Sequence, residues 1–360
     1  MLPIRNRFTK PVSDARLSLG GTMATIRDVA REAGVSPATV SRYLNGNIEL
    51  PAETAGRIDA ASKRLGYRPN LLAKRLSLGS SETIGLVTPE IANPFFAALA
   101  AAAEDEARRE GFSILLSSTG GDLEMEAASI DRLAARHVDG LLVLTNRVDD
   151  GRLRDLIDGR TDVVVLDEDV PGARVTRIFV ENEAGAYDAT RHLIAAGHRR
   201  IAHIGGPEQL LSSRERFAGF ARAMAEAGLA VEDGLVRFGA YERDFGCEAT
   251  RAILANGRPT AVFTGSDYIA VGVLQELAAQ GLSVPGDLSL ASFDDMPFAD
   301  LLSPPITTVR QPIEALGRLG IRTLLAQIRG EEPPPTQRLP TQLVVRRSVG
   351  PPPGRAKKAG

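Results

Sequence analysis

The 360-residue chain has little of what several protein classes require. It contains one cysteine, Cys247, which excludes a framework of disulfide bonds and is typical of a reducing compartment. Its four histidines are scattered, so we expect no metal and no cofactor. No apolar run is long enough to span a bilayer, and the first twenty residues lack the apolar stretch of a signal peptide. We therefore expect a cytoplasmic protein with no membrane partner.

Motifs of nucleotide-dependent and hydrolytic enzymes are also missing. Gly205-Gly206-Pro207 is glycine-rich but lacks a dinucleotide fingerprint, and the sequence has neither a nucleophile elbow nor a phosphate loop. We therefore expect that the protein is not an enzyme. The apolar fraction of 43% and the charged fraction of 24% are ordinary for a globular chain, and the length predicts two or three domains.

The near-neutral net charge conceals an asymmetry along the chain. Residues 1–81 hold 13 lysines and arginines against 6 acidic residues, whereas residues 82–360 hold 30 against 39. A small basic head on a larger acidic body indicates that the head meets a polyanion and the body does not.

The sequence from residue 25 to residue 65 carries dense helix signals. A first helix with apolar residues at helical spacing ends at Gly34, and Ser36 can cap a second helix that has Pro37 at its first position. A third helix is predicted over residues 52–65. Two short helices joined through a small residue and a glycine have the proportions of a helix-turn-helix.

Beyond residue 81 the pattern changes to alternating strands and helices, which predicts parallel sheets covered on both faces. The strand candidates are residues 83–88, 113–117, 140–144, 163–166, 200–204, 261–264 and 288–293. The helix candidates are residues 95–110, 124–136, 184–196, 214–227, 245–255 and 269–279. This length of pattern exceeds one ordinary open sheet, so we predict two α/β lobes.

Seven motifs occur in order across residues 23–348: TIRDVAREAGVSPATVSRYLN, GYRPN with NLLAKRL, IGLVTPEIANPFF, HLIAAGHRRIAHIGGP, RERFAGF, DLSLASFDD and PPITTVRQ. In these motifs the chain resembles the lactose-repressor/purine-repressor (LacI/GalR) family of bacterial transcription regulators. The resemblance implies an all-α helix-turn-helix DNA-binding domain and an α/β body of two parallel-sheet lobes, similar to a periplasmic binding protein.

The resemblance and the patterns together divide the chain. The expected parts are a disordered extension at residues 1–22, the helix-turn-helix domain at 23–69, a hinge helix and linker at 70–81, the two-lobed effector-binding and dimerisation domain at 82–348, and a disordered tail at 349–360. Lobe one is expected at about 82–180 plus 310–340, and lobe two at about 181–309 plus 341–348. Met23 is an alternative start of the protein.

The resemblance places the second helix in the major groove of DNA. Arg42 is the strongest candidate for a sequence-specific base contact, because a guanidinium can donate two hydrogen bonds to guanine. Pro37 and Ala38 carry no side-chain donor, so the outer operator bases are not assigned. The expected DNA contacts are Thr25, Pro37, Ala38, Thr39, Ser41, Arg42, Asn45, Asn70, Ala73, Lys74 and Leu76.

Residues 70–78 match the hinge helix of the family. There the resemblance implies that Leu76 wedges into the central minor-groove step and kinks the duplex. If the helix-turn-helix head and the two-lobed body are not considered, the alternative interpretation of Leu76 is an ordinary apolar residue of a linker. Two hinges meet only in a dimer, so the expected partners are a second copy of the chain and a palindromic double-stranded DNA operator.

The body is expected to bind a small-molecule effector between its lobes, at the carboxyl ends of the strands. Arg216 matches the family arginine that donates paired hydrogen bonds, and Asp294 matches the acid that accepts them, which favours a sugar or sugar-derived effector. The expected effector contacts are Asn93, Phe95, Phe96, Asp167, Arg216, Tyr241, Ser266, Asp267 and Asp294. Alternatively, Asn93 and Asp267 cap helices and Arg216 forms a surface ion pair with Glu215.

These expectations describe a ligand-responsive repressor that works as a homodimer. A transporter's solute-binding protein would share the two-lobed body, but the basic head argues against that class. A sugar kinase or dehydrogenase would need the nucleotide motifs that are missing. A third alternative is an architectural regulator that binds DNA without an effector. The sequence distinguishes it only weakly from a ligand-responsive repressor.

Overall fold

The computed structural model describes residues 24–44, 48–67, 80–135 and 138–354. They fall into two compact units, which meet in the sequence between residues 79 and 80. No helix in these ranges is long and apolar enough to cross a membrane.

The first unit consists of three helices around one small core. Helices α1 (Ile26–Ala33), α2 (Pro37–Leu44) and α3 (Ala52–Leu65) bury Val29, Val40 and Ile58 completely. The α1–α2 turn needs Gly34, whose φ of 66° lies in the left-handed region. This is the predicted helix-turn-helix.

The second unit alternates strands and helices, as predicted. In chain order its elements are β1 (Thr83–Thr88), α4 (Pro94–Arg109), β2 (Ser113–Ser118), α5 (Leu123–Ala135), β3 (Gly140–Leu144), α6 (Arg152–Ile157), β4 (Val163–Leu166), β5 (Thr176–Val180), α7 (Asn182–Ala195), β6 (Ile201–Gly205), α8 (Leu211–Glu226), β7 (Val236–Phe238), α9 (Arg243–Ala255), β8 (Ala261–Thr264), α10 (Asp267–Ala279), β9 (Ser289–Asp294), β10 (Thr307–Arg310), α11 (Ile313–Ile328), β11 (Thr336–Leu339) and β12 (Gln342–Val344).

These strands form two six-stranded sheets, one in each lobe. The first has the order β11-β5-β4-β3-β1-β2, and the second has the order β12-β10-β9-β8-β6-β7. All strand pairs are parallel except β10 with β12. The predicted fold class is confirmed, with one antiparallel edge strand added.

The chain passes between the two sheets three times. It leaves the first sheet after β5, returns to it after β10, and leaves it again between β11 and β12. Because the strands of each lobe are mostly parallel, their carboxyl ends lie along one edge of each sheet. The loops at these two edges form the cleft described below.

Candidate functional site

The helix-turn-helix is held by local hydrogen bonds at both helix starts. The Thr25 hydroxyl donates to Asp28 Oδ2 over 2.7 Å, and the same oxygen accepts from the Thr25 amide over 3.0 Å. Ser36 Oγ accepts from the Thr39 amide over 3.1 Å, which caps α2. The Tyr43 hydroxyl donates to Asp59 across 3.0 Å and thereby fixes α2 against α3.

One face of α2 is exposed to solvent. Pro37, Ala38 and Arg42 are exposed on it, while Val40 on the opposite face is fully buried. Within the described residues, Arg42 forms no ion pair. The Thr39 hydroxyl lies 2.8 Å from Ser36 Oγ, and Ser41 is half-buried.

Five of the predicted DNA contacts lie outside the described residues: Asn45, Asn70, Ala73, Lys74 and Leu76. Their roles stay predictions from the resemblance.

A cavity of about 110 Å³ lies between the two lobes of the body, at the carboxyl ends of the strands. Eight of the nine predicted effector contacts line it: Asn93, Phe95, Phe96, Asp167, Arg216, Tyr241, Ser266 and Asp294. Sequence reasoning did not single out its further polar residues, namely Glu90, Thr145, Asn146, Arg147, Glu168, Ser212, Glu242, Tyr268 and Gln311. A signal existed for Thr145 and Asn146, because they are the first two residues after β3, a strand that the sequence predicts.

Arg216 lies at the base of this cavity, and its side chain is 4% exposed. Its Nε donates to Asn182 Oδ1 over 2.9 Å, and one terminal nitrogen donates to the Gly265 carbonyl over 2.6 Å. The guanidinium carbon lies 3.9 Å from the ring centre of Phe293, a cation–π contact. The alternative of a surface ion pair with Glu215 is wrong, since Arg216 is buried.

Asp294 faces the same guanidinium from the end of β9. Its Oδ1 lies 3.4 Å from the nearest Arg216 nitrogen and accepts from Gln311 Nε2 over 2.7 Å. The φ of Asp294 is 113°, and that of Asp167 at the end of β4 is 70°. Non-glycine residues rarely adopt such angles, which typically cost about 1–3 kcal/mol and cluster at functional sites.

Asp167 has one carboxylate oxygen that makes no hydrogen bond within the described residues. Its Oδ1 is buried and has no hydrogen-bond partner among the described residues. A buried carboxylate oxygen without a donor is costly, so it marks a position where a ligand donor would be stabilised.

Glu168 joins the two lobes. It follows β4 in the first lobe, and its carboxylate accepts from the Leu211 amide over 2.5 Å and the Ser212 hydroxyl over 2.7 Å in the second lobe. Both donors belong to the first turn of α8, so Glu168 acts as a cap supplied from the other lobe. Ser212 Oγ also lies 3.0 Å from the hydroxyl of Tyr241, which lines the cavity.

Tyr241 approaches the cavity floor because position 206 is glycine. A methyl group on Gly206 would lie 2.1 Å from Cζ of the tyrosine ring. The ring is therefore positioned by a glycine that no local sequence pattern predicts.

Asp267, the ninth predicted effector contact, does not line the cavity. Its two oxygens accept from the Met296 amide over 2.7 Å and the Thr308 hydroxyl over 2.9 Å. Ser266, and not Asp267, caps α10, with its hydroxyl accepting from the Ile269 amide. Asn93 both caps α4 and lines the cavity, since its Oδ1 accepts from the Phe95 amide over 3.0 Å.

Three carboxyls around Arg216 have shifted pKa values. Burial raises the pKa of Asp167 to about 6 and the pKa of Glu168 and of Asp294 to about 7. The Arg216 guanidinium opposes this rise at Asp167 and Asp294. Near neutral pH, the ligand-free cleft therefore holds carboxyls that ionise at some cost in stability.

We predict that the ligand-free protein is more stable at pH 6 than at pH 8. A raised folded-state pKa adds stability at low pH, and this contribution is lost as the pH rises from the unfolded value to the folded one. For a carboxyl with a folded pKa of about 7, the change from pH 8 to pH 6 is about 1 kcal/mol. Urea unfolding at the two pH values measures it. Glu168→Gln should reduce the gain by that amount, and an unreduced gain would contradict the assignment.

The folded chain combines a helix-turn-helix unit with a two-lobed body that has a polar cavity at its strand ends, the architecture of ligand-responsive DNA-binding regulators. Two family profiles match it: bacterial regulatory proteins of the lacI family over residues 25–70, and a periplasmic binding protein-like domain over residues 190–349. The chain is 37% identical over 313 residues to the HTH-type transcriptional repressor PurR of Vibrio campbellii, covering 86% of this chain and 93% of the relative. It belongs to the lacI family of bacterial regulatory proteins.

Other relatives and solved structures agree. Catabolite control protein A of Priestia megaterium is 34% identical over 302 residues, which cover 83% of this chain and 91% of that protein. The lac repressor dimer bound to operator and the anti-inducer ONPF superimposes with a TM-score of 0.81 at 29% identity, covering 91% of this chain and 99% of that one. The transcriptional regulator CelR in complex with cellobiose gives 0.67 at 33% identity, covering 90% and 99%. The chain is thus a DNA-binding transcription regulator whose named relatives include repressors.

Proposed function

We propose that this protein is a homodimeric repressor whose affinity for a palindromic operator is controlled by a sugar or sugar-derived effector in the interlobe cavity. The head reads each half-site through the exposed face of α2, with Arg42 as the principal base contact. The segment that contains Leu76 supplies the minor-groove wedge.

One observation carries the effector part of the proposal: the buried Asp167 Oδ1, which has no partner among the described residues, lines the same cavity as Arg216 and Asp294. A ligand with adjacent hydroxyls can donate to the carboxylates and accept from the guanidinium at the same time. The rings of Phe95, Phe96 and Tyr241 add apolar surface to the cavity. A cavity lined by both charged groups and aromatic rings suits a sugar.

Glu168 supports a mechanism for the control. Because its carboxylate caps α8 across the cleft, the arrangement of the lobes depends on contacts that border the cavity. An effector that touches Asp167 in one lobe and Arg216 in the other would favour one arrangement of the lobes. Its differential affinity for two arrangements sets the coupling, typically about 1–3 kcal/mol.

The proposal is tested in two measurements on the purified protein. Thermal unfolding against a panel of sugars and nucleobases identifies a ligand, because a ligand at 100 times its Kd adds about 2.7 kcal/mol of stability. Fluorescence anisotropy with operator candidates from the protein's own promoter then shows whether that ligand changes DNA affinity. A sugar that stabilises the protein and shifts operator affinity supports the proposal. Stabilisation by nucleobases alone, or operator binding that no ligand alters, contradicts it.

A further inference from the structure

A second cavity, of about 360 Å³, adjoins the proposed effector cavity. The two cavities share Arg147 from lobe one and Leu210 from lobe two, so they are adjacent at those residues. The other charged residues that line the second cavity are Asp149, Asp150, Arg154 and Asp169 from lobe one and Arg214 from lobe two. We call it the side cavity.

Each carboxylate of the side cavity already has a partner. Asp149 accepts from the Leu153 and Arg154 amides over 3.0 and 3.1 Å and so caps α6. Asp150 pairs with Arg152 over 3.1 Å. Asp169 Oδ1 lies 2.9 Å from Arg177 Nε, an ion pair whose geometry does not make a hydrogen bond.

Within the described ranges, two of the three arginines of the side cavity have no acidic partner. Arg154 binds Asp155 through two nitrogens, at 2.8 and 3.0 Å. Among the described residues, neither Arg147 nor Arg214 forms an ion pair. Arg147 is nevertheless held in place, because its Nε donates to the Gly121 carbonyl over 2.9 Å, while its terminal nitrogens make no hydrogen bond to any residue that the structure describes.

The start of helix α8 does not neutralise the positive charge of Arg214. Arg214 is exposed in the first turn of α8, where a helix end carries partial positive charge. The amides of that turn at Leu211 and Ser212 donate to Glu168, so the helix end itself is occupied. What remains is a pair of guanidinium groups, one from each lobe, that line the cavity together with carboxylates that are each hydrogen-bonded or ion-paired.

We propose that the side cavity is an anion subsite and that the effector is an anionic sugar, either a sugar phosphate or a sugar acid. Its ring lies in the effector cavity against Arg216 and Asp294, and its anion lies between Arg147 and Arg214. Guanidinium groups suit this task, because they donate paired hydrogen bonds to phosphate and carboxylate oxygens. This inference rests on the proposed effector site, and it narrows the chemical class of its ligand.

An anion bound in this subsite would also influence the arrangement of the two lobes. Arg147 and Arg214 belong to different lobes, so an anion that contacts both favours the lobe arrangement in which they are close. A neutral sugar of the same ring makes no such contact. The charged form is therefore expected to be the stronger regulator.

The first test uses inorganic phosphate on the full-length protein, with sodium chloride at equal ionic strength as reference. Phosphate should raise the Tm saturably in the millimolar range, and either Arg147→Ala or Arg214→Ala should abolish the effect. Arg222→Ala is the matched control, since it removes an exposed arginine that lies on the same helix as Arg214, pairs with Glu183 and does not line the side cavity, and it should respond like wild type. A response that is absent in wild type, or unchanged in both variants, overturns the subsite.

The second test compares matched ligands by calorimetry: glucose, glucose 6-phosphate and glucuronate, and ribose with ribose 5-phosphate. At least one anionic member should bind tenfold or more tightly than its neutral partner, and Arg214→Ala should reduce that ratio to below threefold. The phosphate and carboxylate arms separate the two anion types. Equal affinity of neutral and anionic members overturns the inference. Failure of the proposed function would show differently, as anion binding that never alters operator affinity.

Discussion

Replacing Arg216 by alanine is expected to abolish the effector response while leaving operator binding in place. The guanidinium is the buried donor that faces Asp294 and lines the cavity, so its loss removes hydrogen bonds that the effector would share. We expect effector affinity to fall at least a hundredfold, or about 2.7 kcal/mol. Fluorescence anisotropy of operator binding with and without the sugar that acts on wild type measures the response.

Two further variants keep this result interpretable. Arg216→Ala leaves Asp294 in a buried site, which can lower stability by about 3–5 kcal/mol. Arg216→Lys retains the charge but not the planar fork, so it should fold and still lose most of the response. Arg222→Ala, which removes an exposed arginine of the same helix that pairs with Glu183, should behave like wild type. An unchanged response in both Arg216 variants would remove this residue from the site.

Leu76→Ala is expected to weaken operator binding far more than binding to random duplex DNA. Unstacking a base step costs a few kcal/mol, which the additional contacts of the kinked duplex return. Without the wedge, the loss in specific affinity should reach about thirtyfold, against less than threefold for random DNA. Titrations at one fixed salt concentration measure both affinities, since phosphate contacts depend strongly on salt. Leu78→Ala, in the same segment, is the control and should lose little. Equal losses on both kinds of DNA would contradict the wedge.

The alternation of strands and helices could be derived from the sequence with close boundaries. Strands β1, β3, β4 and β8 match their predicted ranges because they are short apolar runs that are buried on both faces. The short strands β5, β7 and β10 to β12 were not predicted. Three of them, β7, β11 and β12, have no fully buried residue, so their sequences lack the apolar run that marks a core strand.

Helix α11 was missed for a different reason. Gly317 and Gly320 lower the helix propensity of this 16-residue segment. In the fold they allow close packing, because a methyl group on Gly317 would lie 2.6 Å from the Leu99 carbonyl oxygen of α4. Gly317 lies against a helix about 200 residues away in the chain, and Gly320 lies against Leu166 of β4, and no local pattern can reveal either contact.

The same division holds for the site. The sequence by itself determined the helix-turn-helix, because caps, a left-handed glycine and apolar spacing are local properties, and its motifs pointed to Arg216 and Asp294. Only the tertiary structure decided that Asp267 turns away from the cavity, that Glu168 of one lobe caps a helix of the other, and that Arg147 and Arg214 share one cavity. These facts depend on distances between residues that are remote along the chain, and such distances are set by how the two sheets and their helices pack.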